Sequence, residues 1–207
     1  MVTLKIKVTF DEEVLGTASA NPDIHREYIA SNAPDEGRTN EEVAAINPDE
    51  AFEKSMTVFP KDENGNPFAW DYQWKGYFKD AFKGLKKVPK SECGKIKAYK
   101  QEIDALIFPN PRKIPIILPE GGEIGICQRP LRASTPQGER VALASSETVP
   151  AGSTMTFDIV MMADTENNNV HEKAIIEALN YGRLRGFGQW RNSGKGRFHW
   201  ELLERIV

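Results

Sequence analysis

Residues 2–10 alternate strictly between apolar and polar side chains. The apolar positions are Val2, Leu4, Ile6, Val8 and Phe10. A period of two is typical of a β-strand that buries one face and exposes the other. We therefore predict that the chain begins with a half-buried strand. Its 207 residues suffice for one domain with insertions or for two small domains.

Two later segments have apolar residues at helical spacing. The first follows Asp71, which we predict to be the N-cap of a helix over about residues 72–87. Lysines occupy its polar face, and its apolar positions are Trp74, Phe78, Ala81, Phe82 and Leu85. A second helix is predicted for about residues 170–182, where Gly182 supplies the C-terminal stop.

Extended segments are predicted at residues 56–59, 68–70, 114–118, 123–131, 140–148, 153–162 and about 196–206. We predict a hairpin-type turn at residues 149–152. Without insertions, the order is strand, helix, antiparallel strands, helix, strand. This order is typical of the ferredoxin-like, RNA-recognition-motif class of α+β folds, in which helices cover one face of an antiparallel sheet. Single-stranded RNA lies on the free face in many such proteins.

Two stretches interrupt this order. Residues 17–55 are acidic and contain helix-start patterns at Asn21-Pro22-Asp23 and at Thr39, so we predict an acidic helical insertion there. A second inserted segment is predicted at about residues 88–135. We therefore expect a single domain over residues 1–207 that carries two insertions.

Residues 186–198, which we call the glycine loop, combine backbone freedom with positive charge. Four glycines fall within eleven residues, and no acidic residue lies between Arg183 and Trp200. Exposed N–H groups of a glycine-rich segment can form an anion-binding concavity, and arginine and lysine suit phosphate. The loop is a candidate cradle for a phosphate backbone. The alternative is a solvated turn between a helix and the last strand.

Charge is distributed unevenly along the chain. The net charge of −3 argues against a generic nucleic-acid binder. Residues 11–63 contain fourteen acidic and four basic residues, whereas residues 75–100 contain nine lysines and two acidic residues. This asymmetry predicts an acidic lobe and a basic face, with an ordinary solvated surface as the alternative.

Several other classes of protein are excluded by composition. No apolar run is long enough to span a membrane, and the first residues are not a signal peptide. The cysteines are far apart and the histidines are scattered; these residues are Cys93, Cys127, His25, His171 and His199. We therefore predict free thiols, no metal site, no cofactor and a cytoplasmic location without a membrane partner.

Three segments together resemble the RAMP proteins, the RNA-binding subunits of CRISPR effector complexes, and in particular the backbone subunit of type III complexes. Residues 59–81 resemble its P-G-S-S approach and K-G-x-x-R helix start, with Lys75-Gly76 retained. Residues 132–157 are similar to the segment leading into its E-x-V-P-x-G-x-x-F strand. The glycine loop is similar to its C-terminal glycine-rich signature. The segments occur in the family's order and cover about half of the chain.

Two positions depart from the family's pattern. Tyr72-Gln73-Trp74 replaces the Ser-Ser of the family's helix entry. Type III backbone subunits cleave target RNA with an aspartate in the loop before the first segment, where this chain reads Glu53-Lys54-Ser55-Met56-Thr57. Asp49 and Glu53 are nearby, but no aspartate stands at that position.

The resemblance implies a subunit that binds single-stranded RNA, takes part in antiviral defence and associates with itself or with other CRISPR effector subunits. Trp190 or Phe187 is expected to stack on a base, with a partly buried core role as the alternative for Trp190. The residues expected to hold the nucleic-acid backbone are Lys75, Gly76, Lys79, Arg185, Gly186, Gly188, Arg191, Lys195, Gly196 and Arg197.

Two other functions stay open from the sequence. The chain could be a virus- or plasmid-encoded RAMP-like mimic that blocks a CRISPR complex or binds single-stranded DNA. It could also be a metal-dependent endoribonuclease, with Asp49 or Glu53 binding a divalent ion and His25 or His199 as a general base. No acid–base pair or nucleophile constellation identifies a catalytic residue.

Overall fold

The structure is a computed structural model that describes residues 1–21, 56–135 and 138–207, with the backbone alone between residues 131 and 143. The helices predicted within the acidic insertion lie outside the described residues.

The described part of the chain contains eleven strands and three α-helices. In chain order they are β1 (Val2–Phe10), β2 (Val14–Leu15), β3 (Ala18–Ser19), β4 (Thr57–Val58), β5 (Phe68–Trp70), α1 (Asp71–Leu85), α2 (Tyr99–Leu106), β6 (Ile107–Asn110), β7 (Lys113–Pro115), β8 (Gly125–Thr135), β9 (Gly138–Val149), β10 (Thr154–Met161), α3 (Val170–Arg185) and β11 (Phe198–Ile206).

Four strands form the central sheet in the order β11-β1-β10-β6, and all neighbouring pairs are antiparallel. Helix α1 lies in the connection from β1 to β6, and α3 lies in the connection from β10 to β11. Two helical crossovers around a sheet of this order define the ferredoxin-like α+β fold, which RNA recognition motifs share. The predicted fold class is confirmed.

The alternating residues at the N-terminus account for the central position of β1. All five apolar side chains of β1 are at most 1% exposed and belong to one core cluster with α1 and α3. The strand pairs with β10 on one side and with β11 on the other. The prediction of a half-buried strand at residues 2–10 is confirmed.

Helix α1 contributes the largest side chains of the core. Its five predicted apolar residues are all buried, as the helical spacing requires. The ring of Trp74 lies 4.7 Å from that of Phe157 on β10 and 5.6 Å from that of Phe198 on β11. Fully burying a side chain of this size contributes about 1.5–3 kcal/mol, so this cluster fixes α1 against the sheet.

The N-terminal end of α1 differs from the prediction. Asp71 is the first helical residue and Trp70 is the N-cap. The backbone N–H of Trp70 donates to Oε1 of Gln73 at 2.8 Å, while Asp71 accepts from the N–H of Tyr72 at 2.8 Å. Gln73, three residues into the helix, thus performs the end-capping role that the sequence suggested for Asp71.

The C-terminal end of α3 also differs from the prediction. The helix continues through Gly182 to Arg185, and the residue that ends it is Gly186, with a φ of 75°. Gly182 lies under the ring of Phe198, which would overlap a β-carbon at this position. This glycine therefore serves helix–strand packing instead of termination.

The turn at residues 149–152 does not form a hairpin. β9 pairs with β8 and β2, and β10 pairs with β1 and β6, so the strands on either side of the turn belong to different sheets. The N–H of Gly152 donates to the carbonyl of Phe10 at 2.8 Å. The chain thus passes from one sheet to the other at the end of β1, which the local turn pattern could not distinguish from a hairpin.

Helix α2 is an element that the sequence patterns did not predict. Only Tyr99 and Ile103 of its eight residues are buried, so its apolar stripe is too short to be recognised. The helix leads directly into β6, which forms one edge of the central sheet. Both elements lie within the stretch 88–135.

Candidate nucleic-acid interface

The glycine loop is closed at its neck by backbone contacts. The N–H of Phe187 donates to the carbonyl of Gly196 at 2.8 Å, and the N–H of Gly196 donates to the carbonyl of Glu13 at 2.9 Å. Gly196 has a φ of 70°, and a β-carbon there would overlap the carbonyl of Phe187. Gly186 is likewise packed against the carbonyl of Lys195. These two glycines lie inside the loop, with their N–H groups bound within the protein.

Arg185 and Arg191 both bind Asp80, which lies on α1. Nε of Arg185 is 2.7 Å and Nη1 of Arg191 is 2.8 Å from Oδ2 of Asp80. Burial raises the pKa of Asp80, but the hydrogen bond from Arg185 and the two positive charges outweigh it, so the pKa lies below its ordinary value. Two cations and one carboxylate leave a net positive charge where the glycine loop meets α1.

The remaining basic residues of the loop have different surroundings. Nζ of Lys195 lies 2.6 Å from Oε1 of Glu13, and this hydrogen bond raises the pKa of Lys195. Arg197 is exposed, and its guanidinium lies beside Gly194. Among the described side chains, no carboxylate forms an ion pair with Arg197.

Lys75 and Lys79 bind Asp104 of α2. Nζ of Lys79 lies 2.6 Å from Oδ1 of Asp104, and Nζ of Lys75 donates to the Asp104 carbonyl at 3.0 Å and lies 4.2 Å from the ring centre of Phe108. Burial lowers the pKa of Lys75, and the charge of Asp104 opposes this shift. The two lysines thus hold α1 to α2, away from the residues that the glycine loop contacts.

A cleft of about 440 Å³ lies where α1, the glycine loop and the β3–β4 strand pair meet. Gln73 connects α1 to the residue before β3, because Nε2 of Gln73 donates to Oγ1 of Thr17 at 2.6 Å. The cleft is lined by Thr17, Ala18, Ser19, Thr57, Trp70, Tyr72, Gln73, Gly76, Tyr77, Phe187, Gly188 and Arg191. The structure thus brings together Gly76, Gly188 and Arg191 of the predicted set.

Gly76 is an unexpected residue for its position. It is exposed in the second turn of α1, and a β-carbon there would meet nothing within 4 Å. A glycine within a helix costs about 1 kcal/mol relative to alanine. Neither packing nor a left-handed backbone accounts for that cost. Its effect is to leave the helix wall of the cleft open to a close approach.

The two aromatic candidates for base stacking differ in their exposure to solvent. Phe187 is 5% exposed, and its ring stacks on that of Trp74 with centres 4.6 Å apart. Trp190 is 39% exposed, at the tip of the loop. Phe187 is therefore part of the core and does not present its ring for stacking, whereas Trp190 is accessible.

The open face of the central sheet offers no aromatic ring from its two middle strands. Its outward residues are Thr3, Lys5, Lys7 and Thr9 on β1 and Thr154, Thr156, Asp158 and Val160 on β10. RNA recognition motifs stack bases on aromatic residues of this face. In this protein, aromatic side chains accompany basic ones in and around the cleft instead.

Glu147 connects the first two of the segments that resemble the RAMP proteins, residues 59–81 and 132–157. Its Oε2 accepts from the N–H of Phe59 at 2.9 Å, and its Oε1 accepts from Nζ of Lys61 at 2.9 Å. Glu147 is 2% exposed, so this contact is part of the folded interior. No local pattern predicted these contacts, because the partners are separated by more than 80 residues.

The titratable residues show no metal-binding cluster within the described part of the chain. His171, the second residue of α3, is buried, with Nδ1 2.7 Å from Oδ1 of Asp164 and Nε2 3.0 Å from Oε2 of Glu102 on α2. His199 contacts Asp11 at 2.6 Å. The other candidates for nuclease chemistry, Asp49, Glu53 and His25, lie outside the described residues.

Comparison with known proteins gives a structural likeness. No protein-family model and no curated protein matches the chain. The fold is similar to that of a chain in a solved structure of a type IV-B CRISPR complex, with a TM-score of 0.51 and 7% sequence identity. The similarity covers 98% of this chain and 90% of the other. In the described residues, we find no helix long and apolar enough to cross a membrane.

Proposed function

We propose that this protein is a RAMP-type subunit of a CRISPR effector complex that binds single-stranded RNA in the cleft between α1 and the glycine loop. The observation that carries the proposal is the meeting of Gly76, Gly188 and Arg191 in one cleft. They come from two of the three segments that resemble the family.

The chemistry of the cleft suits a nucleotide chain. Arg191 supplies positive charge at its edge, with Arg185 behind it on the same carboxylate. Tyr72 is 38% exposed and stacks on Trp70 with an interplanar angle of 11°. Arginine binds phosphate and aromatic rings bind unstacked bases, and a single strand offers both groups at short spacing.

The open helix wall at Gly76 supports the same ligand. A phosphate backbone is an extended chain that must approach a protein surface closely to reach the Arg191 guanidinium in the cleft. A helix position without a side chain permits this approach. The cost of glycine at this exposed position is thereby offset by ligand binding.

The whole-chain likeness to a subunit of a type IV-B CRISPR complex supports the assignment to a CRISPR effector assembly. Subunits of such an assembly contact one another, and we propose that this chain assembles with further copies or with other effector subunits along the RNA. Sedimentation velocity with and without single-stranded RNA measures this assembly. If saturating RNA raises the sedimentation coefficient by no more than the mass of the RNA accounts for, the chain does not assemble along the RNA.

The binding proposal is tested by fluorescence anisotropy with a labelled single-stranded RNA, the DNA of the same sequence and the RNA duplex. Arg191→Ala is compared with Arg183→Ala, since Arg183 is exposed on α3 and does not line the cleft. We expect single-stranded RNA to bind at low salt and Arg191→Ala to weaken binding about tenfold, with little change for Arg183→Ala. If both variants change affinity equally, the cleft is not the binding site. If the wild type binds no single-stranded nucleic acid, the proposed function is wrong.

A further inference from the structure

The backbone of Trp190 is strained, and the fold does not require a tryptophan at this position. Its φ of 52° and ψ of 33° lie in the left-handed region, which is costly for a bulky side chain and favourable for glycine. It is 39% exposed and does not belong to the hydrophobic core. A glycine at this position would satisfy the same backbone at lower cost. The indole ring therefore needs another explanation.

Arg129 of β8 lies beneath that ring. Its guanidinium carbon is 5.2 Å from the ring centre of Trp190. Nη2 donates to Oε1 of Gln189 at 3.0 Å and Nη1 donates to Oγ of Ser146 at 3.2 Å. Ser146 in turn contacts Thr57, a residue that lines the cleft. Arg129 is thus held both by β9, which pairs with β8, and by the glycine loop.

The charge of Arg129 is buried, and its neighbours among the described side chains are uncharged. The residue is 8% exposed, and its polar partners are a hydroxyl and an amide. No carboxylate among the described side chains forms an ion pair with it. A buried arginine of this kind is costly to desolvate. Its position under an exposed indole offsets part of that cost by a cation–π contact and leaves a local positive potential.

We propose that Trp190, held from beneath by Arg129, is a stacking platform for one unpaired base of the single-stranded ligand. This inference rests on the proposed function and adds a second contact point beside the cleft. Trp190 immediately precedes Arg191, so one nucleotide can place its base on the indole while an adjacent phosphate reaches the Arg191 guanidinium. Arg129 is a positioning residue in this arrangement, because it orients the ring and does not itself contact the base.

Trp190→Leu tests the platform, and Phe108→Leu is the matched control, since Phe108 is also 39% exposed but belongs to β6, where its ring lies under Lys75. Base–aromatic stacking predicts a loss of affinity of roughly 5- to 100-fold for Trp190→Leu. The slope of log affinity against log salt concentration should stay that of the wild type, because no phosphate contact is removed. Trp190→Phe should retain most of the affinity.

Cross-linking provides a readout that does not depend on affinity. Single-stranded RNA that carries 5-bromouridine should cross-link under ultraviolet light to Trp190, as located by mass spectrometry. Arg129→Lys keeps the charge but loses the planar fork, and it should lower both the cross-linking yield and the affinity. Its effect should be smaller in the Trp190→Leu background than in the wild type. Circular dichroism establishes that each variant is folded.

The outcomes separate the two proposals. If the wild type binds no single-stranded nucleic acid at low salt, the proposed function fails, and the platform fails with it. If the wild type binds and Trp190→Leu binds equally well, or if cross-links form elsewhere only, the platform alone is overturned. A reduced salt slope for Trp190→Leu also contradicts it, since that result indicates a lost phosphate contact.

Discussion

Phe187 of the glycine loop lies nearly face to face with Trp74 of α1, with ring centres 4.6 Å apart and an interplanar angle of 26°. Both rings are buried, so the stack joins the loop to the hydrophobic core. The position of the loop is consequently set by the same packing that holds α1 on the sheet. The cleft between them is therefore formed by the packing of the core itself.

Replacing Phe187 with alanine should therefore affect stability and binding together. Removal of the buried ring leaves a cavity and costs about 3–5 kcal/mol of the free energy of unfolding. Urea unfolding monitored by circular dichroism measures this loss. Phe187→Leu fills more of the space and should recover a large part of it. A loss below about 1 kcal/mol for the alanine variant is incompatible with the stack as described.

Gly76→Ala should raise stability while it lowers affinity for RNA. Alanine at this exposed helical position adds about 1 kcal/mol to the free energy of unfolding. RNA binding should weaken by roughly three- to tenfold, because a methyl group then stands on the wall of the cleft. Unfolding curves and anisotropy titrations measure the two effects on the same preparation.

Gly84→Ala is the control on the same helix. A β-carbon at Gly84 meets only the ring of Tyr181, at 3.5 Å from its hydroxyl oxygen, which is an ordinary contact. This variant should also be more stable, but its affinity for RNA should equal that of the wild type. If both variants change the affinity for RNA equally, Gly76 has no special role in binding.

Asp80→Asn should tighten RNA binding. The substitution removes a negative charge that two arginines share, so their positive charge becomes available to phosphate. We expect affinity to rise about three- to tenfold at low salt and the gain to shrink as salt screens the charges. Asp104→Asn removes the same charge from the partner of Lys79, outside the cleft, and should change affinity much less.

The same carboxylate predicts an acid-dependent part of the stability. The pKa of Asp80 is lower in the folded protein than its ordinary value of about 3.9 in an unfolded chain. Its ion pairs therefore contribute fully above that ordinary value, and the contribution is lost as the pH falls through the lowered folded pKa. The free energy of unfolding of the wild type should exceed that of Asp80→Asn by about 1 kcal/mol at neutral pH. This difference should vanish in strong acid, and a constant difference across the pH range is the contrary result.

Local patterns were sufficient to predict most of the elements that form the core, but β6 of the central sheet was not among the predicted strands. The alternation in β1 and the aromatic stripe of α1 report burial directly, because each side chain's position follows from the period of its own element. The fold class followed from the order of these elements. Helix α2 was missed since two buried residues make too short a stripe.

The parts of the site that could not be predicted depend on contacts across the chain. Asp80 belongs to a helix face that looked solvated, and its two arginine partners lie more than 100 residues away. Arg129 stood in an ordinary extended segment, and only the folded chain brings it under Trp190. The sheet change at residues 149–152 depends on Phe10 at the far end of β1. A single sequence contains no local signal for such pairings.

The closed neck of the glycine loop has a consequence for how this protein can change over evolution. Backbone groups of Phe187, Gly196 and Glu13 hold the neck. The side chains between Phe187 and Gly196 are therefore not needed to keep the loop in place. Substitutions at the tip can alter what the loop contacts without unfolding the domain, whereas Gly186 and Gly196 at the neck tolerate almost none. A domain built in this way can diverge far in sequence and still present a loop at the same place beside α1.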